Sequence, residues 1–211
     1  MNLFDRVTLL ATGLVAIYLI VRFVQDYLRK EPRPVYNIYY MISFTVLLVA
    51  GLLLIAFTYS ALENPLVIVV SYLIPLGLAL GLVTEFHERF SKLYLVYGLV
   101  GLIGITATKF GGVEGWDTVI LAIFHSTAGL LIFFIPIFAV KSGKVPGGFI
   151  MVTVGGTLIG IGGIALAFLK AGAPILSAEV IFTILAPLLL LMALTFAWGF
   201  VKKIVSAAHA G

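Results

Sequence analysis

His125 is the residue whose type and place most invite chemistry. It lies inside a long apolar stretch, roughly 12 Å from the near end of that stretch at ~1.5 Å rise per helical residue. An imidazole at such a depth in lipid is costly unless it is paired or wetted, which marks a functional-site candidate. The structural alternative is an imidazole bonded to a neighbouring helix as packing glue. Two prolines add acceptors at the same level. A proline inside a helix removes the donor for the carbonyl one turn earlier, so Pro75 frees that of Ser71 and Pro187 that of Thr183. These carbonyls share a depth with His125, Ser126 and Tyr72, and Glu63, Trp116 and Asp117 stand above them as a mouth. Gly13, Gly51, Gly101, Gly162 and Gly163 fall at a similar level, where small residues admit close helix packing or leave room for a ligand. The expectation is an outward-facing polar pocket for an unknown small ligand, whether solute, ion or lipid. Pro75, Pro136 and Pro187 are hinge candidates, as in the broken helices of carriers.

Other chemistries find no support in the residues. The chain has no cysteine, which excludes disulfides and thiolate sites. It has no phosphate loop, HExxH or GxSxG motif, so no catalytic residue, metal site or enzyme activity is expected. A bis-histidine haem needs two imidazoles at one level. His125 and His87 differ in depth by roughly 18 Å across a ~30 Å core, and Met151 and Met192 belong to the other half. A retinal protein needs a lysine inside its seventh span, whereas Lys202 and Lys203 follow that span. No cofactor is therefore expected. His87 reads as a solvated interfacial histidine and His209 as part of a frayed tail.

The elements that must position these residues are membrane helices. Of the 211 residues 62% are hydrophobic and 10% charged, against roughly 25% charged in soluble domains. So little polar surface cannot coat a water-soluble body, and the mean hydropathy of +1.21 agrees. A span needs ~20 apolar residues. Seven stretches qualify, at about 7–27, 36–59, 66–86, 93–109, 118–140, 148–169 and 177–201, the fourth being the shortest. Continuous apolar runs without alternation predict helices rather than barrel strands. The fold class is thus all-α, one polytopic transmembrane domain with short loops. The first stretch lacks a basic lead and a cleavage site, and reads as a span rather than a signal peptide.

Orientation follows from the basic residues. One side collects Arg22, Arg29, Lys30, Arg33, Arg89, Lys92, Lys141, Lys144, Lys202 and Lys203, and the other only Arg6, Lys109 and Lys170. Asp5, Glu63, Glu114, Asp117 and Glu179 fall on the poorer side. The positive-inside rule then predicts a cell-membrane protein with its N-terminus outside and its C-terminus in the cytoplasm. The charge of +4 belongs to span ends and predicts no nucleic-acid partner. The lipid bilayer is the expected environment, with assembly as a homo-oligomer or complex subunit open. Arg22 is placed to snorkel and pair with Asp26 one turn on. Gly77 with Gly81 and Gly156 with Gly160 are small-residue pairs suited to packing. A faint repeat relates 97–104 to 154–160 and 71–75 to 183–187. Scarce amides and absent cysteine fit a thermophilic source. Two functions remain: a small carrier or binding protein using the pocket near His125, or a non-catalytic subunit or scaffold of a larger membrane complex.

Overall fold

The structure is a computed structural model. It describes all residues except 113–115, 171, 173 and 211, and the side chains of Asp117, Lys170, His209 and Ala210 are likewise not described. The expected mouth carboxylate of Asp117 and the outer Glu114 therefore lie outside the described residues. Every regular element among those described is helical: α1 Leu3–Arg29, α2 Val35–Phe57, α3 Pro65–Ser71, α4 Leu73–Phe86, α5 Ser91–Gly111, α6 Trp116–Lys141, α7 Met151–Lys170 and α8 Ala178–Ala210. Short 3-10 turns join several of them. With α3 and α4 taken together, seven helices are long and apolar enough to cross a membrane.

Local signals explain most boundaries. Asn2 and Asp5 exchange side-chain and backbone hydrogen bonds in a capping box that starts α1. Asn64 caps α3 by accepting from the Leu66 amide, and Pro65 takes the first helical position, where its missing N–H is no loss. Gly112 closes α5 in the left-handed region at φ 66°. Two boundaries differ from the sequence reading. The second span stops at Phe57 because Thr58 turns to φ 58°, and a 3-10 segment follows. The last helix does not stop before Lys202 and Lys203 but runs to Ala210. No proline or glycine interrupts 200–210, and Lys and Ala are good helix formers.

Helix α1 packs on α2 and α8, α2 on α4, α4 on α6, α6 on α7, and α7 on α8. These contacts close a six-helix ring. Helix α5 stands outside it, against α3, α4 and α6. Helix α4 is the most enclosed, buried from Pro75 to Val83. Its glycines make this possible. The Cβ position of Gly77 abuts Ser43 and the Tyr39 carbonyl, and that of Gly81 abuts the Tyr40 ring, so any side chain there would push α2 away. The close approach lets Ser43 Oγ donate to the Ile74 carbonyl at 2.9 Å. The two segments of the faint repeat occupy unlike places: α5 outside the ring, α7 within it. For description, the end carrying Arg29, Lys30 and Lys203 is the basic end, and that carrying Asp5, Glu63 and Trp116 the acidic end.

Candidate functional site

Successive helical residues turn by about 100°, which puts His125, Ala128, Ile132 and Pro136 on adjoining parts of one face of α6. Towards the basic end that face is sealed. Ala128, Ile132 and Pro136 are buried, the Ile132 side chain lies against Gly156 of α7, and Thr153 of α7 donates to the Phe133 carbonyl at 2.8 Å. Towards the acidic end the same face is open. No heavy atom lies within 4 Å of the Cβ positions of Gly129 on α6 or of Gly160 and Gly163 on α7. On α7, Gly160 and Gly163 continue the stripe on which Thr153 and Gly156 meet α6, and no atom of α6 reaches either Cβ position. His125 lies on this open stretch of the α6 face. Its side chain is exposed and has no hydrogen-bond partner among the described residues. Ser126 beside it is also exposed. Across the ring, the inward face of α2 repeats the contrast. Phe44 and Leu47 are packed, while the Cβ position of buried Gly51 meets nothing within 4 Å.

The other residues grouped with His125 by depth are spread around the bundle. Tyr72, at the joint between α3 and α4, is buried with its hydroxyl beside Gly101 of α5 and without a partner. Phe124 lies against the same glycine, so Tyr72 serves the α5 side of α6, about a quarter turn from His125. Ser71 is half-buried at the end of α3. Thr183 is on the outer surface of α8, on one stripe with exposed Leu194, and its hydroxyl bonds back to the Glu179 carbonyl at 2.7 Å. Depth alone had joined Thr183 to His125; rotation about α8 separates them. Glu63 and Trp116 are exposed at the acidic end. Of the hinge candidates, Pro75 occupies the first turn of α4, so the break in that span falls at Tyr72, while Pro136 and Pro187 sit inside continuous helices.

A second constellation, at the basic end, went unread in the sequence. Lys203 of α8 turns into the ring and is only 6% exposed. Its Nζ donates to both carboxylate oxygens of Glu85 on α4, at 2.7 and 2.6 Å. The Tyr40 hydroxyl, from α2, donates to Glu85 Oε2 at 2.8 Å. Four rings surround the ammonium, with centroids 5.3 Å (Tyr36), 5.2 Å (Tyr40), 5.4 Å (Phe149) and 5.5 Å (Phe200) away. Ring faces attract a desolvated cation, and the carboxylate neutralises it. Phe23 and Phe44 extend the cluster: Phe23 lies 5.1 Å from both Tyr40 and Phe200, and Phe44 lies 6.1 Å from Phe200. Lys203 is thus within the seventh membrane-length helix rather than beyond it.

Beside this pair, Asp26 of α1 is buried and accepts from Lys30 Nζ at 2.9 Å and Asn37 Nδ2 at 2.8 Å. Burial draws the Lys30 ammonium down, but its bond to Asp26 and the nearby Tyr36 outweigh this and hold its pKa above the ordinary value. The expected Arg22–Asp26 pair does not form; Asp26 Oδ2 is shared by Lys30 and Asn37. The available sequence signal for the constellation was Glu85 itself, an acid in the last turn of a span on the side otherwise rich in bases. No group of three or more His, Asp or Glu side chains suited to a metal occurs among the described residues. No protein-family model, curated protein or solved structure matches the chain.

Proposed function

We propose that this is a multi-pass membrane protein of the small-carrier or solute-binding type, with its basic end in the cytoplasm and its N-terminus outside. The cleft beside His125 receives the ligand from the outer side. The carrying observation is the change of packing along one face of α6, open at His125 and Gly129 and sealed at Ile132 and Pro136. Alternating access requires one side open while the other is shut. The aromatic cluster and the Lys203–Glu85 pair supply the shut side, and the two charges belong to different helices, so they can part only if water enters to solvate them. The imidazole and the glycine backbone of this open face suit a small uncharged polar solute. No catalytic step is assigned.

Because the chain has no cysteine, single cysteines test the reading. In intact cells, Gly160→Cys and Gly112→Cys should react with an impermeant thiol reagent, whereas Thr183→Cys, facing lipid, and Ser142→Cys, in the cytoplasm, should not. Inert Gly160→Cys beside reactive Gly112→Cys would mean a closed bundle and favour the scaffold role. Reaction at Ser142 but not at Gly112 would reverse the orientation.

A further inference from the structure

We propose that the cleft between the last turns of α1 and the end of α8 binds a phosphate ester, drawn from a phospholipid headgroup of the adjoining leaflet. The cleft encloses about 190 Å³ and is lined by Arg22, Gln25, Asp26, Arg29 and Lys30 opposite Ile204, Ala207 and Ala208. Spacings of three and four residues put Arg22, Gln25, Asp26 and Arg29 on one face of α1, and Lys30 follows at its end. Together they carry three cations and one anion, and the anion is engaged. Asp26 Oδ2 already accepts from Lys30 and Asn37. Arg22 is left with a buried Nε that has no acceptor.

A guanidinium at the edge of an apolar medium is strongly stabilised by an anion, and its planar fork matches two oxygens of a phosphate. Arg29, toward the helix end, adds a second positive charge. The facing wall is apolar and small-sided, which leaves room beside Ala207 and Ala208 and offers Ile204 to an acyl chain. The charged face and the apolar wall together match a phospholipid better than a free anion. The inference uses the basic end alone and stands apart from the cleft at His125.

The test uses the purified full chain in detergent, titrated with phosphatidylglycerol and read by native mass spectrometry, with melting temperatures confirming that each variant is folded. The wild type should retain one lipid. Arg22→Gln should weaken retention about tenfold, as for loss of a charged hydrogen bond, and Arg22→Lys should fall between. Lys144→Gln, at the same end but outside the cleft, should change it little. Inorganic phosphate should leave the lipid bound; if instead it displaces the lipid and is itself retained in an Arg22-dependent way, the phosphate ester comes from a soluble source. Equal retention by wild type and Arg22→Gln, or equal losses for Arg22→Gln and Lys144→Gln, would overturn the site in favour of unspecific surface charge.

Discussion

The two halves of the ring are built from similar residues, but the basic half is the more tightly packed. At the basic end, glycines are contact points: Gly77, Gly81 and Gly155 each lie against a side chain or carbonyl of another helix. At the acidic end, Gly51, Gly129, Gly160 and Gly163 meet nothing, while Gly13 and Gly162 still touch Leu48 and Leu188. Aromatic rings account for the difference. Phe23, Tyr40, Phe44, Phe149, Phe196 and Phe200 are all essentially buried, and all converge on the basic half. Among the described residues the acidic half has a smaller, aliphatic cluster of Leu9, Leu54, Ala61 and Ala186, and its stacked pair, Tyr59 and Phe182, joins the turn after α2 to α8. A small residue is therefore not in itself a packing motif. Whether it closes or opens a helix pair depends on what the opposite helix offers at that height.

The largest effect that could break this contrast is at the ion pair. Lys203→Ala or Glu85→Ala leaves a buried charge without its partner, and each should cost about 3–5 kcal/mol in denaturant unfolding. The apolar combination Lys203→Met, Glu85→Leu and Tyr40→Phe should recover most of that loss, because it removes both charges and the hydroxyl they satisfy. Single variants as stable as the wild type would show that the pair carries no energy and that the basic half is not latched by it.

Two alanines in one helix give the next comparison. Gly155→Ala pushes a methyl group into Phe196 and Thr195, an overpacking expected to cost about 1–3 kcal/mol. Gly160→Ala enters open space and should be neutral or gain up to about 1 kcal/mol from helix propensity. Equal costs at the two positions, measured in the same unfolding assay, would mean that Gly160 is packed as closely as Gly155.

The smallest effect is predicted at His125. With no partner to orphan, His125→Ala should change stability by no more than about 0.5 kcal/mol, while ligand binding at the cleft is lost. A clear fall in melting temperature would instead mark the imidazole as packing glue.

The helices could be read from the residues because lipid imposes a local rule: each backbone group must bond within its own segment, and each side chain must tolerate hydrocarbon. Run length and apolarity therefore located all seven membrane-length helices, with boundaries shifted by a few residues at Thr58 and by a longer extension after Val201. The candidate site was legible only along the membrane axis. His125 could be assigned a depth, but depth did not say that Thr183 turns outward or that Tyr72 turns to α5. Arg22 was given to Asp26 by spacing within one helix, whereas the carboxylate bonds Lys30 and, from another helix, Asn37.

The amino-acid sequence by itself determined the all-helical, membrane-length architecture and the concentration of bases at one end, since both arise from transfer energies and charges that add along the chain. Only the tertiary structure decided which of those bases is structural. Lys202 and Lys203 are adjacent, yet the first stays exposed and the second enters the ring to meet Glu85, 118 residues away. That choice rests on the rotation of α8 about its axis and on how closely α2 and α4 approach at Gly77 and Gly81. Both are fixed by packing all the helices together, and neither can be read from any one of them.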